Sequence, residues 1–210
     1  MDLSTYKSRM LDELGDPTGS RFTPAILEQS LRQALNEYSV AVPLFLSTTH
    51  VVTVAGRDQV VSAVTSFQNI LSLVYPYVST VDLELQLSTA FYATDNGTCL
   101  ALYIGGESTP AVGEVIYFVY TTGHTIDDLD SAASTTVNPT HEITIVDGAS
   151  ALAALYRANS IVESYGKREA DYDNLRAYGQ KQHTKYLDEL QRLSVSPARA
   201  RALPSAGWEL

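Results

Sequence analysis

The feature that most limits what this chain can become is a capped amphipathic helix in FTPAILEQSLRQALNEYSVAVP, residues 22–43. Thr23 is a good N-cap, because its hydroxyl can accept from an orphan N–H of the first turn, and Pro24 suits the first helical position, where its missing N–H costs no hydrogen bond. Leu27, Leu31, Ala34, Leu35, Tyr38 and Val42 recur at spacings of three and four, with Glu28, Gln29, Arg32, Gln33, Asn36 and Glu37 facing away. Pro43 closes the run.

Three further helices are expected. Residues 3–14 place Leu3, Tyr6, Met10 and Leu14 near one face and stop at Gly15-Asp16-Pro17. Asn138-Pro139 repeats the start signal of Thr23-Pro24, and residues 143–162 are rich in Ala, with Ile145, Leu152, Leu155, Tyr156 and Ile161 distributed almost all round. A helix that apolar is enclosed by neighbours. Gly148, Ala149, Ser150, Ala151, Ala153 and Ala154 would let another backbone approach closely, from within the chain or from an adjacent copy, and Gly166 closes the helix. A last helix over about 171–193 carries one narrow stripe of Leu175, Tyr178, Tyr186, Leu190 and Leu193 on a charged surface.

Between these ends, from about residue 44 to 137, the hydrophobic period changes to two. The alternation is clearest at Val81, Leu83, Leu85 and Leu87 against Asp82, Glu84, Gln86 and Ser88, as in an antiparallel sheet with one wet face. Asp95-Asn96-Gly97 predicts a hairpin between strands near 89–94 and 98–104, and Gly56-Arg57-Asp58 predicts another between 49–54 and 59–64. Residues 115–120 are apolar almost without alternation, which predicts a central strand. The expected fold class is α+β: a helical bundle with an inserted antiparallel β-sandwich or small barrel. Its segments are 1–43 and 138–193 for the helical body, 44–137 for the insert and 194–210 for an extended arm.

Charge and chemistry narrow the function. The formal charge is −10, and residues 1–150 hold 5 Lys and Arg against 17 Asp and Glu, whereas residues 151–210 hold 9 against 7. An acidic body argues against sustained nucleic-acid binding, which draws most of its non-specific affinity from basic side chains. The opening MDLSTYKSRMLDEL lacks the apolar core of a secretory signal, and the chain has no uninterrupted apolar run long enough to span a membrane. The lone Cys99 reads as a buried thiol in a strand, in keeping with a reducing compartment. His50, His124, His141 and His183 have no ligand spacing, and the acidic run Asp127, Asp128 and Asp130 lacks the glycine and distal glutamate of a calcium loop. Gly105-Gly106 precedes Glu107, which would repel a phosphate. No nucleophile elbow, phosphate loop or dinucleotide fingerprint is present. The expectation is a protein without catalysis, cofactor or metal. Tyr172, Tyr178 and Tyr186 beside Arg176, Lys181 and Lys185 could form a stacking platform, but the packing stripe accounts for two of the three rings.

These residues resemble a family, the head-to-tail connector or adaptor proteins of tailed bacteriophages. RFTPAILEQSLRQALNEYS, with Leu27, Leu31, Ala34 and Tyr38 in place, is similar to the family's capped helix, and NPTHEITIVDGASALAALYRANSIVESYG with the segment to Leu193 is similar to its later helices. The resemblance covers the helical ends; many members have only a short β element where this chain has a long insert. It implies a ring of about twelve copies beneath the portal, a helical body around a channel for double-stranded DNA, a next neck or tail protein as a further partner, and a location in the virion at the head-tail junction. It also implies a C-terminal arm docked on the portal, here Arg199, Arg201, Leu203, Trp208 and Leu210. The candidate subunit seam is Ala149, Ala153, Ile161, Tyr178 and Tyr186. Two other readings stay open: a β insert that recognises carbohydrate or a host surface, and an enzyme of unrecognised type built around His124 and Asp127.

Overall fold

The structure, a computed structural model, describes residues 1–64, 67–78, 90–95, 100–105, 109–164 and 169–195; the side chains of residues 94–95, 161–164, 169–171 and 195 are not described. The alternating run from Val81 to Leu87, the Asn96-Gly97 turn, Cys99, Gly106, Glu107, Gly166 and the arm from residue 196 lie outside the described residues. The fold is an α+β mixture of four helices and two antiparallel three-stranded sheets, with no closed barrel among the described residues. The described residues divide into two compact units, one of Met1–Val42 with those between 124 and 195, the other of those between 43 and 123.

In the helical unit, α1 (Leu3–Glu13) is started by Asp2, whose carboxylate accepts from Thr5 N–H at 2.8 Å. That cap lowers the Asp2 pKa to about 2 through the hydrogen bonds from Thr5 and Ser4. The helix ends at Gly15, whose φ of +63° an L side chain rarely adopts. Asp16 then organises the turn between helices. Its carboxylate accepts from the backbone N–H groups of Ser20, Arg21 and Phe22 at 3.1, 2.7 and 3.0 Å, so the buried group is fully partnered. α2 (Pro24–Ala41) begins as its sequence dictates, with Thr23 Oγ1 accepting from Ile26 N–H, and it buries Leu27, Leu31, Ala34, Leu35 and Tyr38. Each buried leucine contributes about 2 kcal/mol relative to exposure.

Asn138 caps a short 3₁₀ turn over Pro139–His141, its side chain accepting from Thr140 N–H at 3.0 Å, and α3 (Glu142–Ser164) follows directly. α3 packs against α1, α2 and α4 (Glu169–Val195) and is the centre of this unit. Ile145, Val146, Ala149, Leu152 and Ala153 join Tyr6, Met10, Leu31, Tyr38, Tyr186 and Leu190 in one core. The core also takes Ile126, Leu129 and Val137, so residues 124–137 pack with the helices, although their composition groups them with the strands.

The β unit contains β1 (Leu44–Val51), β2 (Asp58–Val61), β3 (Asn69–Val74), β4 (Phe91–Asp95), β5 (Leu100–Ile104) and β6 (Val115–Thr122). The sheets are ordered β1-β6-β3 and β2-β5-β4, all neighbours antiparallel. β6 is central in its sheet, as its apolar run predicts. Val61, Leu100, Leu102 and Ile104 from one sheet meet Ile70, Leu73, Ile116 and Phe118 from the other in a second core. β4 and β5 pair across the segment that holds Asn96-Gly97. The hairpin expected at Gly56-Arg57-Asp58 does not form: β1 and β2 belong to different sheets. Gly56 instead donates to Pro110 O at 2.9 Å, and the Gln59 amide donates to Val54 O and Gly56 O, which turns the chain from one sheet to the other.

Candidate interaction surfaces

The small residues of α3 are consumed within the chain. A Cβ on Gly148 would lie 2.7 Å from ring carbons of Tyr186, and one on Gly179 would lie 2.7 Å from Leu155 Cγ and 2.9 Å from Ala151 O. The glycines of each helix therefore receive large side chains of the other, and both pairs share one antiparallel register. Tyr186 is anchored at its far end, where its hydroxyl donates to Ala34 O at 2.6 Å, and burial raises its pKa.

Of the expected subunit seam, three residues take part in this packing. Ala149, Ala153 and Tyr186 are buried in the helical unit's own core. Tyr178 is half-buried, its hydroxyl 3.4 Å from Glu13, with a pKa pushed up to about 12 by burial and then by Glu13. Backbone Ile161 lies in α3, but its side chain is outside the described residues. Arg199, Arg201, Leu203, Trp208 and Leu210 are outside them as well. Of the platform tyrosines, Tyr186 is packed away and Tyr172 accepts from Arg176 at 3.0 Å.

A polar cluster lies where the chain leaves and re-enters the helical unit. His124 N–H donates to Ser39 Oγ at 2.9 Å, and its imidazole Nε2 is 2.9 Å from Val42 O. Nδ1 is 3.1 Å from Thr136 O and 3.2 Å from the Thr136 hydroxyl. With Nε2–H donating to Val42 O, the neutral ring can accept from that hydroxyl, and burial lowers its pKa. The Tyr38 ring stacks at a tilt on His124, centroids 5.0 Å apart, while its hydroxyl is 2.8 Å from His141 Nδ1. Both nitrogens of His124 face the chain's own groups, so its geometry is that of a tie between residues 39–42 and 124–136.

The Asp127, Asp128 and Asp130 run is drawn into local structure. Asp127 O accepts from Leu3 N–H at 3.0 Å, and Asp130 takes Arg32 Nε–H at 2.8 and 3.0 Å. Among the described residues no group of three or more His, Cys, Asp or Glu side chains is placed to hold a metal ion. A notch of about 210 Å³ is lined by Thr144, Asp147, Lys185, Tyr186 and Glu189. Burial raises the Asp147 pKa there against the pull of Lys185, whose ammonium is 4.0 Å away. No described helix is long and apolar enough to cross a membrane.

The β unit carries the surface that sequence reasoning missed. Among the described residues, ten of the thirteen exposed large hydrophobic side chains belong to it, so exposed apolar area concentrates in the unit with fewer residues. Residues 43–123 also hold a single Lys or Arg, Arg57. Tyr92 and Tyr103 sit directly opposite each other on β4 and β5, 66% and 40% exposed. The signal lies in pairing: Tyr92 and Tyr103 look ordinary until the register sets them side by side.

No family model matches the chain, and no curated protein matches it. Among solved structures, it is similar to a chain of one described as "Neck of native GTA particle computed with C12 symmetry", at 14% identity over 87% of this chain and 92% of that one. The TM-score is 0.31, too low to define a common fold.

Proposed function

We propose that this chain is a structural virion protein, a head-to-tail adaptor that forms a ring beneath the portal, joins the capsid vertex to the neck or tail and lines the channel for double-stranded DNA, without catalysis or cofactor. The observation that carries the reading is the family-like segment Arg21 to Ser39. It is folded as a Thr23-capped helix whose Leu27, Leu31, Ala34 and Tyr38 are all buried. It is supported by the concentration of exposed apolar side chains in a charge-poor β unit, since charged residues are depleted from the centres of protein interfaces. The partners in this reading are other copies of the chain, about twelve in all, the portal and the next neck or tail protein; no membrane is involved.

The arm of residues 196–210 is the portal-docking element, with Trp208 as its anchor and Arg199 and Arg201 as its charged contacts. Deleting it should leave the melting curve intact and weaken capture by the portal ring in a pull-down. Undiminished capture would refute that assignment. A second reading is favoured by one observation, the exposed Tyr92 and Tyr103 pair: flat aromatic faces on a sheet can stack against sugar rings, so the β unit would be a carbohydrate- or host-surface-binding module.

A further inference from the structure

The turn between Ile126 and Ala132 is wound against its own backbone. Asp128, Asp130 and Ser131 have φ of +66°, +54° and +64°, the left-handed region that side chains other than glycine rarely occupy. Three such residues within four store strain that neighbouring contacts have to outweigh. From inside, Leu129 is 4% exposed in the helical core. Its N–H donates to Ile126 O at 3.0 Å, while Ala132 N–H donates to Leu129 O at 3.1 Å and Asp128 N–H to Ala132 O at 3.0 Å. From outside, Arg32 on α2 grips the Asp130 carboxylate through Nε–H at 2.8 and 3.0 Å. The Arg32 and Asp130 side chains are 45% and 61% exposed, so this grip is made in water and holds weakly. The turn holds α1 as well: Asp127 O accepts from Leu3 N–H at 3.0 Å, and an isolated parallel bridge joins Asp2 to Asp127.

We propose that residues 127–132 are a strap latched by Arg32, which opens ahead of the rest of the helical unit and, on opening, frees the N-terminal end of α1. Backbone strain and the mutual repulsion of Asp127, Asp128 and Asp130 favour the open state, and burial of Leu129 favours the closed one. Arg32 is the cation that tips the balance, because it binds one of the three carboxylates and offsets the charge of all of them. A segment with one buried side chain, exposed neighbours and strained backbone belongs at the low-stability end of a structure. Its opening reaches α1 because the carbonyl that receives Leu3 N–H is carried by the strap itself. The inference is independent of the ring reading.

The test is amide hydrogen exchange of the full chain, read by mass spectrometry and corrected for the intrinsic rate of each sequence. Arg32→Gln removes the latch from one side. Asp130→Asn removes it from the other, keeping the side chain's shape and its tolerance of left-handed backbone, and it isolates the latch from Glu28, which lies 3.8 Å from Arg32. Ser131→Gly relieves strain at an exposed position, and at φ of +64° that gain exceeds glycine's entropic cost. Melting curves establish that all the variants fold. The expected result is strap exchange about threefold faster in each latch variant and no faster in the double variant than in either single one. Exchange in the N-terminal turn of α1 speeds up with the strap, amides of α3 are unchanged, and Ser131→Gly slows the strap. Latch variants that exchange like wild type, or a Ser131→Gly strap that opens faster, would overturn the latched strap. A strap that opens faster while the N-terminal turn of α1 keeps its wild-type rate would overturn the link to α1.

Discussion

Replacing Gly148 by alanine probes the α3–α4 seam at its tightest point. The added Cβ would sit 2.7 Å from Cδ2 and Cε2 of Tyr186 and 2.8 Å from Cδ1, far inside van der Waals contact. The ring cannot step aside freely, because it is buried and its hydroxyl is held by Ala34 O at 2.6 Å. Forcing the groups apart costs about 1–3 kcal/mol as overpacking, and breaking the tyrosine's hydrogen bond adds about 1 kcal/mol. Alanine returns about 1 kcal/mol through its higher helix propensity. The steric side wins by about 1–3 kcal/mol, which for a chain of this size lowers the melting temperature by roughly 3–10 °C. The assay is thermal unfolding followed by the helical circular-dichroism signal. Tyr186→Phe removes the tether in advance, so the double variant should cost about 1 kcal/mol less than the two single variants added together. A Gly148→Ala protein that melts at or above the wild-type temperature would refute the seating of Tyr186 on this glycine.

The half-buried histidines His50 and His124 set a pH dependence, and alanine substitution tests the exposed tyrosines. Burial lowers the pKa of both His50 and His124 below the ordinary value of 6.5, so the unfolded chain takes up protons first as pH falls. The stability they contribute is complete above about 6.5 and is lost as pH drops from there toward the folded values; stability that rose on acidification through this window would contradict the assignment. His124→Gln should flatten that part of the profile, as read from melting temperatures in a buffer series. For the carbohydrate reading, a glycan array that stays silent with wild type counts against it, and binding that Tyr92→Ala with Tyr103→Ala abolishes without lowering the melting temperature supports it.

What the sequence revealed and what it hid follow from how local each cause is. α2 and α3 could be read because Thr23-Pro24 and Asn138-Pro139 state their starts in neighbouring residues and their apolar spacing states their length. β6 could be read as central because an unbroken apolar strand has to be covered by others. Gly56-Arg57-Asp58 misled because it satisfies turn chemistry, whereas strand partnership is non-local: β1 pairs with β6, far along the chain, and β2 with β5. The run of small residues in α3 announced a close approach without saying what approaches. Gly179 on α4, in register to receive Leu155 as Gly148 receives Tyr186, was the clue that the partner lay within the same chain. The Asp16 turn was hidden because its acceptor role depends on three backbone N–H groups, which every sequence supplies and only the fold aims.

Electron microscopy of assembled particles, with this chain located by an antibody or a fused density marker, tests the central claim most directly. The account predicts a closed ring of copies between the portal and the next neck or tail component. A single copy standing alone, or label found on fibres or outside the head-tail junction, would contradict it.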